Sequence, residues 1–244
     1  MNWFENWFGS PYYKILYQNR DEFEAQEFVE NLLGYLQPQQ GSTMLDIACG
    51  EGRFAKQLAE HGYDVTGIDI SHPSIDKAKA FETDNLQFFV QDMRLPFYIN
   101  YFDYAFNFFT SFGYFANNRD HALAARSFAA SLKENGILVI DYLNAEQVMA
   151  NMVPEETIQR GSYTFNIKRT LELNHINKEI SFTDADKKLR YYKESVAAFT
   201  LSDFIKMFRP AGMQLVCTFG DYKLDTYDTI GSPRLIMVFK KKYV

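Results

Sequence analysis

Asp46, Gly50, Gly52, Asp69 and Asp92 fall where apolar runs give way to polar turns, in "LDIACGEGRFA" (45–55), "VTGIDIS" (65–71) and "VQDMRLPF" (90–97). Gly50 and Gly52 put residues without side chains where a ligand must approach the backbone closely. The helix expected from about Arg53 opens with free amides beside them. On spacing alone this is a dinucleotide turn, because Gly50, Gly52 and Ala55 fit G-x-G-x-x-A and Asp69 follows at the distance of a ribose-binding acid. Asp92 and Met93 add a second requirement. A carboxylate at that strand end accepts from an adenine amino group, while the Met93 amide donates to the ring. Singly, each aspartate reads equally well as a helix cap or turn residue. On three successive strand ends of one sheet, the three polar turns together describe an adenosine site.

The elements that must hold those turns follow from the pattern of the chain. Between 41 and 143, strand-like and helix-like runs alternate, from "TMLDIA" and "RFAKQLAEHG" to "DHALAARSFAASLKENG" and "ILVIDYL". That alternation predicts a parallel sheet wound with helices on both faces. Phe23, Phe28, Leu32 and Leu36 stand near helical spacing ahead of Pro38, which stops that helix. Gly62 and Gly136 are expected at helix C-termini, and Pro73 in the first turn of a helix. Residues 145–198 change texture, with period-two alternation in "YTFNIKRTLEL" and short strands in "EISFTD" and "LRYYKESV". An antiparallel insertion with one solvated face is expected there, a cover on the core rather than a unit with a deep core of its own.

Composition limits the function classes. The chain has 244 residues and is 47% apolar, enough for one large α/β unit. A net charge of −6 sets the overall field against nucleic acid and anionic membrane, so a small-molecule or protein substrate is expected. Cys49 and Cys217 are expected as free thiols in a reducing cytoplasm, with no signal or membrane-spanning segment. His61, His72, His121 and His175 have no His or Cys neighbour at ligand spacing, so no metal site is expected. His121 is either a general base reaching the cleft or a bystander on a helix surface. Ser111 lacks a G-x-S-x-G elbow and reads as a turn or capping residue.

The runs "LDIACGEGRFA", "VTGIDIS", "VQDMRLPF", "FDYAFNFFTSFGYF" and "LKENGILVIDYL" resemble the class I S-adenosylmethionine-dependent methyltransferases, from about residue 40 to the C-terminus. "TSFGYF" and the β-rich insertion look like a small-molecule subgroup of that family. The resemblance implies a Rossmann-like, doubly wound, seven-stranded and mostly parallel sheet whose last strand, "RLIMVFKK", is antiparallel. The texture of the chain divides it into an N-terminal helical cap (1–40), a core (41–144 and 199–244) and the insertion (145–198). The resemblance implies S-adenosylmethionine as cofactor. Gly50 and Gly52 would meet its methionine part and Asp46 would brace that turn; Asp69 would bind ribose and Ile70 would pack on adenine. Asp92 with Met93 would read the adenine edge, and Asn107 and Phe108 would line the methyl-donor end. The position of an N-P-P-Y or D-P-P-Y run reads "NFFTSFGY", so no target base or amine carries over.

Methyl transfer from a sulfonium is an in-line displacement that mainly needs alignment and desolvation. Tyr13, Tyr17 and Arg20 follow an i, i+4, i+7 pattern. Either this face closes over the cofactor, with Arg20 or a tyrosine hydroxyl at the methionine carboxylate, or the tyrosines pack the N-terminal helix onto the sheet. Phe112, Tyr114, Phe115, Tyr142 and Tyr191 or Tyr192 are candidate acceptor walls or core. The alternatives to a methyltransferase are a nicotinamide-dependent oxidoreductase, which would not need Asp92 and Met93, and a non-catalytic cofactor-binding protein. A small-molecule acceptor, no nucleic acid, no membrane and a possible homodimer through insertion edge strands complete the expectation.

Overall fold

The computed structural model describes residues 3–17 and 22–242. Three helices come first, α1 (Trp3–Phe8), α2 (Pro11–Leu16) and α3 (Glu22–Leu36). Strands and helices then alternate through β1 (Thr43–Ile47), α4 (Arg53–Glu60), β2 (Asp64–Asp69), α5 (His72–Ala78), β3 (Leu86–Val90), β4 (Phe102–Asn107), α6 (Asn118–Ser131) and β5 (Leu132–Leu143). After α7 (Ala145–Ala150) come four strands, β6 (Glu155–Arg160), β7 (Tyr163–Glu172), β8 (His175–Thr183) and β9 (Leu189–Ala197). Helix α8 (Leu201–Phe208) and strands β10 (Met213–Phe219) and β11 (Arg234–Lys241) close the chain.

The main sheet has seven strands in the order β10-β11-β5-β4-β1-β2-β3, and β11 alone runs against both its neighbours. Its central strands are apolar along almost their whole length because helices cover both faces. Alternation then sorts their side chains: Leu138 and Ile140 join Phe128, Phe204 and Phe208 beneath α6 and α8, while Val139 joins Phe28, Phe54 and Phe88 on the side of α3 and α4. Strand order reverses between β1 and β4. A sheet of this kind opens a crevice there, outside the carboxyl ends of its strands.

The second sheet, β6-β7-β8-β9, is antiparallel throughout, as the alternation at 163–173 predicts. It has an apolar cluster of its own: Phe165, Ile167, Ile180 and Phe182 pack with Trp7 from α1 and Leu16 from α2. The first forty residues therefore do not pack as one piece. Helices α1 and α2 lie on the second sheet, while α3 lies on α4 through Phe28, Val29 and Leu32.

One local expectation needs correction. Gly136 is not at a helix end: α6 stops at Ser131, and Gly136 sits within β5, where an added Cβ would stand 2.9 Å from the Lys133 carbonyl oxygen. The left-handed turn there belongs to Asn135, at φ 62°. Helix α7 and strand β6 carry no strong apolar period and were not expected.

Candidate functional site

Strand β1 leaves the sheet at the switch point through three left-handed residues, Ala48 (φ 61°), Gly50 (φ 57°) and Gly52 (φ 84°). Gly50 is required by its dihedral alone, since a Cβ there would meet nothing within 4 Å. Gly52 is required twice, because its Cβ would lie 2.5 Å from Cζ of Phe88. Gly67 on β2 makes room for the same ring and for Cys49 Sγ, at 2.5 Å and 2.9 Å from a hypothetical Cβ. Sequence reading missed Gly67, whose role depends on a side chain one strand away.

The turn borders a cavity of about 460 Å³, within the range of small-molecule sites. Of the residues expected at the site, Tyr13, Asp46, Gly50, Asp69, Ile70, Asp92, Met93 and Phe108 line it. Gly52 stands behind the turn, and Asn107 is wholly buried, donating from Nδ2 to the Ile47 carbonyl at 2.9 Å. Arg20 lies outside the described residues. Among the acceptor-wall candidates, Tyr114 and Phe115 line the cavity, as does Ser111, whose hydroxyl donates to the Phe108 carbonyl at 2.7 Å. Phe112 and Tyr142 are core, and the Tyr142 hydroxyl donates to the Ala197 carbonyl. Tyr191 is exposed, and Tyr192 packs 4.6 Å from Trp7. His121 is not on a helix surface: it is buried among Phe112, Phe115 and Phe199, and burial lowers its basicity. Among the described residues no group of three His, Cys, Asp or Glu could hold a metal ion.

Of the carboxylates that line the cavity, the three at the strand ends are in different states. Asp69 accepts from the Gly50 amide at 2.9 Å and, through its other oxygen, from the Ser71 amide at 2.8 Å. Burial raises its pKa although these amides oppose the rise. These amides leave the carboxylate acceptor capacity for a donor from the cavity, which it lines. Asp46 is buried, and neither of its oxygens has a hydrogen-bond partner among the described residues. Burial, above all, and the charge of Asp69 raise its carboxyl to about 7, opposed in part by the nearby Ala55 amide, which stops short of hydrogen-bond geometry, and by Arg53. Asp92 is the converse case. Burial acts to raise it, but Arg94 outweighs burial and holds it below its ordinary range.

Asp46 makes a pH dependence measurable. Its pKa is raised in the folded protein, so the unfolded chain loses this proton near pH 4 and the folded protein near pH 7. Its contribution to stability is full below the unfolded value and is lost as pH rises toward 7; Asp69 acts in the same direction. Denaturant unfolding should show Asp46→Asn to be more stable than the parent at pH 8, by on the order of a few kcal/mol, with the gap closing toward pH 4. Equal stability of the two proteins at pH 8 would mean that Asp46 is ionised without cost.

Helix α2 roofs the cavity. Phe8, Gly9, Tyr13 and Lys14 line it from above, and Lys14 Nζ reaches Glu51 of the glycine turn at 2.6 Å, where Lys77 of α5 also binds at 2.9 Å. Tyr17 caps α2 and faces the second sheet, where its hydroxyl donates to Glu194 at 2.7 Å; Trp7 Nε1 donates to the same carboxylate at 2.6 Å. Lys178 stands over the Tyr17 ring. The two tyrosines thus divide the roles foreseen for them: Tyr13 faces the cavity, and Tyr17 anchors the roof.

Beyond β4 the chain turns through Phe109 (φ 61°) and Thr110 (φ 57°), two successive left-handed residues without glycine. Asp141 of β5, fully buried, accepts from the Phe109 amide at 2.8 Å, Tyr222 Oη at 3.0 Å and Arg234 Nε at 2.8 Å. The Arg234 guanidinium also donates to Thr110 Oγ1 at 3.0 Å. Phe109 lines the cavity, so this cluster shapes its wall. No spacing in the sequence signals it, because Asp141 and Arg234 are 93 residues apart.

The chain is similar to known proteins over most of its length. A family model described as "Methyltransferase domain" matches residues 17–218. YqeM of Bacillus subtilis (strain 168), provisionally named a methyltransferase, is 28% identical over 214 residues, 84% of this chain and 85% of its own. The dTDP-3-amino-3,4,6-trideoxy-alpha-D-glucopyranose N,N-dimethyltransferase of Streptomyces venezuelae is 24% identical over 214 residues, 83% of this chain and 89% of its own. The crystal structure of an S-adenosylmethionine-dependent methyltransferase from Clostridium acetobutylicum superposes with a TM-score of 0.79 at 17% identity, covering 95% of this chain and 96% of that one.

Proposed function

From the premise that the chain belongs to the class I S-adenosylmethionine-dependent methyltransferases, we propose that it methylates a small-molecule amine held in the cavity beneath α2. Membership sets aside the nicotinamide reading of the glycine turn and makes S-adenosylmethionine the cofactor. The observation that carries the proposal is the cavity itself, lined by carboxylates at the strand ends together with aromatic rings from Phe8, Tyr13, Phe109, Tyr114 and Phe115.

The residues present fit this cofactor. Asp69, a cavity-lining carboxylate with acceptor capacity left, suits the ribose hydroxyls. Asp92 and the Met93 amide suit the adenine edge, Ile70 its face, and the left-handed Gly50 turn a closely approaching amino-acid arm. Asp46, buried without a partner among the described residues, is matched by a cation in the cavity. When bound, the cofactor supplies an electrophilic methyl group on a sulfonium.

The protein's own part is alignment and exclusion of water. The aromatic wall suits both the sulfonium and an amine that gains positive charge as it is methylated, because ring faces attract cations. A neutral amine brings its own lone pair, so no side chain need remove a proton before attack, and the proton lost afterwards passes to solvent. Net charge −6 favours a small acceptor over nucleic acid. The amino-sugar dimethyltransferase among the relatives supports nitrogen as the acceptor atom. No helix among the described residues is long and apolar enough to cross a membrane.

Calorimetry with S-adenosylmethionine, S-adenosylhomocysteine and NADH tests the cofactor, and transfer of a labelled methyl group to nucleotide-linked amino sugars and simple amines tests the acceptor. The expected result is binding of both sulfur compounds and labelling of an amine. Labelling of hydroxyl or thiol compounds alone would overturn the amine reading and leave the cofactor assignment standing.

A further inference from the structure

The carboxylate expected to read adenine is held by a neighbour that sets three donor hydrogens against its four lone-pair positions, leaving one for the base. Asp92 Oδ1 accepts from the Arg94 amide at 2.9 Å and from Arg94 Nε at 3.1 Å, and Oδ2 accepts from the same Nε at 3.0 Å and from a terminal guanidinium nitrogen. The remaining arm of Arg94 donates to Asp120 at 3.0 Å, near the start of α6, and its guanidinium stands 5.2 Å from the centre of the Phe115 ring. Asn117 caps α6 and also donates to Asp120 at 3.3 Å, which fixes the far anchor. Arg94 is thus clamped from two elements, and it clamps Asp92 in turn.

We propose that Arg94 is the positioning residue that makes Asp92 a fixed, acceptor-only reader of the nucleobase, so that the choice of an amino-bearing base over a keto-bearing one depends on Arg94. The proposal rests on the cofactor site described above. An ionised carboxylate accepts hydrogen bonds and cannot donate one. It therefore pairs with the adenine amino group and repels the keto oxygen of hypoxanthine. A carboxylate that takes up a proton can donate to that oxygen, and the discrimination disappears. Arg94 prevents this in two ways: its charge keeps Asp92 ionised, and its two-pronged contact fixes the plane of the carboxylate. The same pairing leaves Arg94 more firmly protonated, chiefly through its bonds to Asp92.

The test compares S-adenosylhomocysteine with S-inosylhomocysteine, which carries hypoxanthine, by calorimetry at pH 5 and pH 8. Besides Arg94, the charged groups facing Asp92 and the shared cavity are Asp120, Asp69, Asp46, Glu51, Arg53 and Lys14. Apart from Asp120, these groups act on both ligands alike and cancel in the ratio of affinities; Asp120 holds Arg94 and is followed separately through Asp120→Asn. The parent protein is expected to prefer the adenine compound by roughly ten- to hundredfold, the worth of one charge-assisted hydrogen bond, equally at both pH values. In Arg94→Met the ratio should fall at least about threefold from pH 8 to pH 5, and Arg94→Lys should restore a flat profile by restoring the charge. If Arg94→Met does not fold, Arg94→Lys and Asp120→Asn carry the test through a lower ratio at pH 8, because each removes an anchor and keeps the charge on residue 94. A ratio in the variants as high and as flat as in the parent would overturn the proposal, as would a parent that does not discriminate. Failure of the parent to bind either compound would instead overturn the cofactor site on which the proposal rests.

Discussion

Asp69→Ala should lower affinity for S-adenosylhomocysteine by at least about a hundredfold while the protein stays folded. The variant removes the proposed acceptor of two ribose hydroxyls, each charge-assisted bond contributing about 1.5–3 kcal/mol, and with it the acceptor of the Gly50 and Ser71 amides. Stability should move much less. The carboxylate is buried at a cost, so its loss offsets part of what the two amides lose. The Asp46 carboxyl should at the same time come down from about 7, because the charge of Asp69 is one of the two causes that raise it. Asp69→Asn is expected to fall between, since one amide oxygen can serve only part of the arrangement. Calorimetry and a thermal melt decide the matter: affinity within threefold of the parent, in a folded variant, would remove Asp69 from the site.

Asp69 also marks what sequence reading can reach. Gly50, Gly52 and the three acids lie at ends of apolar runs, and in a parallel sheet covered on both faces such ends are the only places where the central strands meet a cleft. Periodicity locates those ends, so the part of the candidate site that they form was legible. The identity of each acid's partner was not. Asp92 and Arg94 stand two residues apart in "QDMRL", a spacing open to inspection, yet nothing in it says whether the arginine turns back onto the acid or outward to solvent. Glu51 meets Lys14 and Lys77 from two other elements, and such pairings follow from the packed fold rather than from local pattern.

The N-terminal region shows the same limit at a larger scale. Its aromatic spacing is compatible with any apolar surface, and the structure gives α1 and α2 to the second sheet and α3 to the main one. Tyr13 and Tyr17, treated alike by helical spacing, part company because α2 ends at Leu16 and Tyr17 lies in its cap, where its hydroxyl meets Glu194. Gly136 was misplaced for a related reason: glycine after a helix pattern usually signals its left-handed end, but Asn135 adopts that conformation here.

Asp141→Ala is the variant in which stability and site should fail together. Its carboxylate is fully buried and accepts from the Phe109 amide, Tyr222 Oη and Arg234. Removing one partner of a buried pair leaves the other charge uncompensated, at about 3–5 kcal/mol, or roughly 10 °C in melting temperature for a chain of this size. The double variant Asp141→Leu, Arg234→Met separates the two effects. With both charges gone the desolvation penalty is gone as well, so at least half of the lost melting temperature should return. The turn should not return with it. Phe109 and Thr110 hold left-handed dihedrals that cost on the order of 1–3 kcal/mol each, and the double variant supplies neither the acceptor for the Phe109 amide nor the donor to Thr110 Oγ1. Phe109 would then leave its place on the cavity wall. A double variant that regains stability yet transfers methyl groups at least about tenfold more slowly would assign the buried pair to shaping the site. If stability and transfer recover together, the pair serves the fold alone, and the strained turn is held by its remaining neighbours.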